Sequence, residues 1–149
     1  MAEDTLKGKY LIFSMDRELY GIEIRCITEI VGIQPITKLP ETPNYIKGIT
    51  NLRGKIIPVM DARLRFKKEP REYNDRTCII VLETKKNLLG LIVDQVAEVI
   101  LLRDEDIAPP PEFGEGEHEY IKGIGKSDGD VKLLLDCYKL FTGGETGGE

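Results

Sequence analysis

The sequence predicts an all-β protein built as two small antiparallel barrels from an internal duplication, with short helices. Three observations carry that prediction. First, Tyr-Ile-Lys-Gly-Ile occurs at Tyr45 to Ile49 and again at Tyr120 to Ile124; each copy is followed 16 residues after its Tyr by an Asp (Asp61, Asp136) and 21 residues after it by a Phe (Phe66, Phe141). Upstream, Tyr10-Leu11-Ile12-Phe13 through Gly21 and Glu29 to Val31 aligns at an offset of 69 with Ile79-Ile80-Val81-Leu82 through Gly90 and Glu98 to Ile100. Collinear recurrence of glycines, acids and apolar positions reads as one unit written twice. Second, the apolar runs are short, rich in Ile, Val, Leu and Tyr, and bounded by turn residues, as strands are. Third, no long helical period is present, and closing a sheet into a barrel removes the exposed edges that invite aggregation.

Taken in order, strands are expected at 10–15, 19–24, 56–60, 78–82, 88–93 and 131–135. Asp16-Arg17-Glu18 and Lys85-Lys86-Asn87 fall between paired runs at equivalent places and read as hairpin loops. Tyr20, Ile22 and Ile24 alternate with Glu23 and Arg25, the pattern of a half-buried strand, whereas Tyr10 to Phe13 is apolar at every position and requires cover on both faces. Asn51-Leu-Arg-Gly54 and Ser127-Asp-Gly-Asp130 each supply a glycine, Gly54 and Gly129, for a tight turn that needs positive φ. Asp61 and Asp136 are placed to cap one or two helical turns over 62–66 and 137–141. The charged stretch 67–75 reads as a linker, 104–118 with its three consecutive prolines as a surface loop, and 142–149 as a flexible Gly- and Glu-rich tail. The first barrel is expected over 8–66, with contacts from the C-terminal segment, and the second over 76–141. The crevice between them is the expected binding groove.

Each repeat has only about seventy residues, near the lower limit for independent stability, so the two are expected to lean on each other. A formal charge of -5 without a basic run argues against nucleic-acid binding. No apolar stretch is long enough to cross a bilayer and the first residues lack a signal-peptide core, so a soluble cytoplasmic protein without membrane insertion is expected. Cys26, Cys78 and Cys137 are odd in number and far apart, which favours buried, inert thiols over a disulfide framework or a zinc site.

A search for catalytic chemistry finds little. The one histidine, His118, lies in an acidic loop, and no Ser or Cys has a neighbouring His to activate it. Gly125-Lys126-Ser127 resembles the end of a phosphate-binding loop, but Tyr120 stands where its first glycine belongs. Asp128-Gly129-Asp130 lacks the spaced acids of a calcium loop and reads as a hairpin turn. Neither cofactor nor metal is expected. What remains suits protein contacts: Arg53 in a turn, Glu29 closing an apolar segment, and Ile27 and Ile30 with their repeat equivalents Val96 and Val99, which serve either the core or an exposed apolar strip.

Tyr45-Ile-Lys-Gly-Ile-Thr-Asn-Leu-Arg-Gly-Lys-Ile-Ile-Pro-Val-Met-Asp61 resembles the central motif of the CheW-like domains, and Leu19-Tyr-Gly-Ile-Glu-Ile24 with Glu29-Ile30, and Gly90-Leu-Ile-Val-Asp94 with Val96 and Val99, resemble that family's flanking signatures. The resemblance covers about residues 8 to 141; Ala62 stands where the family often has Leu, a departure that bears on local packing. It implies two SH3-like five-stranded barrels and a non-catalytic adaptor. That adaptor would couple the helical hairpin at the cytoplasmic tip of methyl-accepting chemoreceptors to the regulatory domain of the histidine kinase CheA, recruited from the cytoplasm to membrane-associated receptor arrays. A regulatory module for a non-chemotaxis kinase pathway is the alternative. Matched position by position, the resemblance assigns Glu29 and Arg53 to the partner-binding surface, and Leu11, Ile27, Ile30 and Val96 to the receptor groove. It assigns no residue to the kinase contact.

Overall fold

The protein is described here by a computed structural model covering residues 5–85, 87–110 and 119–142. These residues form β1 (Lys9–Met15), β2 (Glu18–Glu23), β3 (Ile27–Gly32), β4 (Ile46–Leu52), β5 (Lys55–Asp61), α1 (Ala62–Arg65), β6 (Cys78–Thr84), β7 (Asn87–Val93), β8 (Gln95–Leu101), β9 (Ile107–Ala108), β10 (Ile121–Ser127), β11 (Asp130–Leu135) and α2 (Cys137–Thr142). Short 3-10 turns at Ile24–Cys26 and Asp104–Asp106 complete the set. The architecture is all-β with two short helices. The duplication is carried into it: shifting β1, β2 and β3 by 69 residues lands on β6, β7 and β8, and shifting β4, β5 and α1 by 75 lands on β10, β11 and α2.

The expected grouping of strands is corrected. The sheets run β8-β1-β2-β11-β10-β9 and β3-β6-β7-β5-β4, and the chain divides into one unit of Met1–Cys26 with Ala97–Glu149 and a second of Ile27–Val96. The limits 8–66 and 76–141 followed the repeat; the sheets do not. Each copy gives its opening hairpin to the other: β6-β7 joins β3, β4 and β5, while β1-β2 joins β8, β10 and β11. The reason lies in the pairing, since β3 is antiparallel to β6 and β5 is parallel to β7, leaving β1 and β2 no place in the sheet of β3 to β5.

In the Ile27–Val96 unit, Ile57, Val59, Ile79, Val81 and Ile92 form the core, with Val31, Ile36, Leu52 and Leu88 packed against it. The segment after β3 crosses to the edge strand β4: Thr37 and Ile49 exchange backbone bonds of 2.8 and 2.9 Å, and Thr50 Oγ1 donates to the Pro35 carbonyl at 2.7 Å. Gly48 (φ 146) permits this approach, because a Cβ there would stand 2.0 Å from the Thr37 carbonyl oxygen. The recurrent Tyr-Ile-Lys-Gly-Ile is therefore a β-bulge: the register slips between Ile46 and Gly48, and again between Ile121 and Gly123. In each copy the Tyr carbonyl accepts from the distant Asp amide, Asp61 to Tyr45 at 2.8 Å and Asp136 to Tyr120 at 2.7 Å. Both acids then cap their helices, Asp61 accepting from Arg63 N at 2.8 Å and Asp136 from Lys139 N at 3.1 Å. Ala62, directly after the first cap, is fully buried.

In the other unit, Tyr10, Ile12, Leu102 and Leu134 form a core joined by Leu19, Ile100 and Ile107. Phe13 stacks on its cross-strand partner Tyr20 with ring centroids 5.3 Å apart. Every residue from Tyr10 to Phe13 is buried, as the unbroken apolar run requires. Part of the expected loop 104–118 is ordered, since β9 pairs with β10. Residues 111–118, His118 among them, lie outside the described residues, as does the expected tail beyond Thr142.

The stretch 67–75 is anchored. Buried Arg63 donates from Nε to the Glu69 carbonyl at 2.7 Å and from Nη1 to Asp94 at 2.7 Å, Arg71 reaches the same carboxylate at 3.2 Å, and Tyr73 donates to Asp61 at 2.8 Å. Burial and the Asp61 hydrogen bond both raise the Tyr73 pKa, so that hydroxyl stays protonated as a donor.

Candidate protein-binding surface

β3 forms from a β-branched segment, Ile-Thr-Glu-Ile-Val, at one edge of its sheet. Burial alternates along it: Ile27, Glu29 and Val31 are half-buried, while Ile30 points outward at 44% exposure. An isoleucine that open on a sheet edge gains little for folding, and a partner that covers it would gain the burial instead.

Arg53 reaches this strand from the far edge of the same sheet. Leu52 pairs with Lys55, so Arg53 and Gly54 make a two-residue hairpin loop with φ of 53° and 88°. The Asn51 side chain accepts the Gly54 amide at 2.9 Å and steadies the turn. From there Arg53 Nη1 donates to both carboxylate oxygens of Glu29. Side-chain exposures of 69% for Arg53 and 29% for Glu29 make this a solvated pair, worth about 0.2–1 kcal/mol to folding. Holding Arg in the left-handed region costs about 1 kcal/mol, so the turn gains nothing locally from this residue. The equivalent turn of the other copy has Asp128 there (φ 55), a residue type that tolerates the conformation well.

The repeat shows what is shared and what is particular. Ile30 and its equivalent Val99 are both exposed, as are Ile56 and its equivalent Val131, at 44, 53, 59 and 55%. Exposed apolar positions thus recur in both copies, and Leu101 adds a further one at 62%. The ion pair does not recur, because Glu29 and Arg53 correspond to Glu98 and Asp128, two acids.

Among the residues assigned from sequence, Glu29 and Arg53 touch, and Ile27 and Ile30 share their strand. Ile27 is half-buried at the start of β3, and Val96 is half-buried on β8. Leu11 is corrected: at 3% exposure in β1 its side chain belongs to the buried interior, as expected of a strand apolar on both faces. Sequence reasoning missed Ile56, Val131 and Leu101. For the first two, the strict alternation that buries Ile57 and Lys132 at 2% each sends the preceding residue outward, and this was the available signal.

No group of three His, Cys, Asp or Glu residues suited to hold a metal occurs among the described residues. The Gly125-Lys126-Ser127 stretch lies within β10, and Asp128-Gly129 is the loop between Ser127 and Asp130, so both are hairpin structure. No helix among the described residues is long and apolar enough to cross a membrane.

A family model described as the CheW-like domain matches residues 9–145. A chemotaxis protein CheW of Klebsiella aerogenes is 38% identical over 146 residues, spanning 97% of this chain and 88% of its own length. A chemotaxis protein CheW of Treponema pallidum is 34% identical, spanning 97% and 88%, and protein FrzA of Myxococcus xanthus is 29% identical, spanning 94% and 89%. The crystal structure of the scaffolding protein TtCheW from Thermoanaerobacter tengcongensis superposes with a TM-score of 0.87 at 40% identity, covering 95% of this chain and 96% of that one.

Proposed function

Because the chain belongs to the CheW-like domain family, we propose that it is a non-catalytic chemotaxis adaptor that couples the cytoplasmic tip of chemoreceptors to the histidine kinase CheA. The observation that carries this reading is the edge strand β3, which turns Ile30 outward next to a Glu29 gripped by Arg53. Relatives named as chemotaxis and scaffolding proteins supply the pathway.

Such an adaptor works without bond chemistry. Exposed apolar side chains supply affinity when a partner removes them from water, and the charged pair sets register and rejects mismatched surfaces. Ile30 and the Glu29–Arg53 pair form the receptor-facing surface in this reading, with Ile27 and Val96 as half-buried support. Signal passes only if the receptor's two states bind this surface with different free energies, since equal affinity for both shifts nothing.

Receptor binding is tested by substituting Ile30→Asp, which places a charge at an exposed position. The folded state is expected to survive with a stability change within about 1 kcal/mol, while sedimentation with a receptor cytoplasmic fragment falls at least about tenfold. Undiminished sedimentation would remove Ile30 from the surface.

A further inference from the structure

The sequence suggests that the cysteines are inert, yet two of them meet. β2 and β11 are parallel neighbours, Leu19 beside Lys132, Tyr20 beside Leu133 and Gly21 beside Leu134, so both chains leave the sheet at the same end. The chain after β2 turns through Ile24–Cys26, and the chain after β11 enters α2 at Cys137. These continuations place the Cys26 and Cys137 thiols in hydrogen-bond contact. Cys26 is half-buried, the more accessible of the two, whereas Cys137 is 5% exposed. Cys78 belongs to the other unit.

We propose that Cys26 and Cys137 form a peroxide-sensitive dithiol that closes reversibly into an intrachain disulfide. The accessible sulfur reacts first and the buried one resolves it. The Cys26 thiolate attacks one oxygen of a hydroperoxide; an S–O bond forms, the O–O bond breaks, and the departing alkoxide or hydroxide takes up a proton. Cys137 then loses its proton and attacks the Cys26 sulfur, forming the S–S bond as the S–O bond breaks and water leaves. The two thiols give up two electrons and the peroxide accepts them; an external dithiol reverses the change.

The surroundings favour that order. The hydrogen bond from Cys137 holds the Cys26 pKa down to about 7, outweighing burial and the Glu23 charge, with help from Lys122 and Arg25. The same hydrogen bond, together with burial, raises that of Cys137, which therefore stays a thiol until its partner is oxidised. Burial alone raises the Cys78 pKa, so the third thiol reacts slowly. Closure would tie the residue just before Ile27, where β3 begins, to the start of α2.

The test is hydrogen peroxide titration of the full reduced chain near neutral pH, followed by thiol counting and peptide mass mapping. The free thiols are expected to fall from three to one, with a Cys26–Cys137 peptide lighter by two hydrogens that dithiothreitol reverts. Cys26 should react at least about tenfold faster than Cys78. Cys137→Ser should leave a Cys26 sulfenic acid that dimedone traps, and Cys26→Ser, at the more accessible position, should abolish the fast phase even if the buried variant folds poorly. Loss of all three thiols at one rate, or intermolecular crosslinks through Cys78 in place of the intrachain bond, would overturn the proposal.

Discussion

Arg53 occupies a left-handed turn position (φ 53) where Asn, Asp or Gly is the ordinary choice, and its side chain spends itself on a solvated bond to Glu29. The residue therefore contributes little to folding, and the proposed adaptor role assigns it instead to the partner-binding surface. Arg53→Asp installs the residue the other copy uses. It should keep the unfolding free energy from urea melts within about 1 kcal/mol of wild type and weaken receptor or kinase capture at least about fivefold; equal capture of both partners would take Arg53 out of the surface. A second charged pair does bear on stability. Burial pushes the Glu23 pKa up, but Lys122, hydrogen-bonded at 2.8 Å, and then Arg25 outweigh it and hold it below its usual 4.5. The unfolded chain thus binds this proton more tightly than the folded one. The pair's contribution is complete above the unfolded value and is lost as pH falls through the lower folded value, so as pH falls below 4.5 wild type should lose more stability than Glu23→Gln in urea melts; parallel losses would contradict the assignment. At this scale Glu29 and Arg53 were singled out from the sequence as separate charges, and the hydrogen bond that joins them was not legible there, because 24 positions separate them in the chain. Leu11 shows the limit of motif resemblance, because the unbroken apolar run around it already demanded burial.

Elements were legible where the apolar runs were continuous. β1, β2, β5, β6, β7 and β11 each hold a contiguous apolar stretch, and each was expected within a residue or two of its observed limits. β3, β4 and β10 were not, because polar residues and glycines interrupt them and space their isoleucines three apart (Ile27 and Ile30, Ile46 and Ile49, Ile121 and Ile124), which hides the two-residue period on which strand recognition rests. β8 escaped for another reason: it is largely exposed, so its sequence carries no buried face. The bulge glycines differ in what they tolerate. An added Cβ at Gly48 meets the Thr37 carbonyl oxygen at 2.0 Å in a positive-φ residue, whereas at Gly123 it meets Ile107 Cγ2 at 3.1 Å and the Ala108 carbonyl oxygen at 3.3 Å. Gly48→Ala should cost at least about 3 kcal/mol and Gly123→Ala about 1 kcal/mol, read from thermal and urea unfolding. Comparable losses would mean the two bulges are equally strained.

At the scale of the molecule, the duplication was legible and the exchange of hairpins was not, since a repeat in sequence says nothing about which copy each strand pairs with. The topology makes a direct prediction. Fragment 27–96 contains all five strands of its sheet and should unfold cooperatively by circular dichroism, whereas 1–75 and 76–149, cut along the repeat, each lack a hairpin and should fold only when mixed. Cooperative unfolding of isolated 1–75 would contradict the exchanged arrangement. The same economy extends to function: a duplicated strand unit with exposed apolar positions in both copies is suited to being held by other proteins. The most direct measurement is co-sedimentation of the purified chain with a receptor cytoplasmic fragment and the CheA regulatory domain, each omitted in turn. The adaptor account predicts that the chain pellets with the receptor alone, binds the kinase domain alone, and brings the kinase domain down with the receptor only when present; a chain that binds neither partner, or that leaves kinase recovery unchanged, would contradict it.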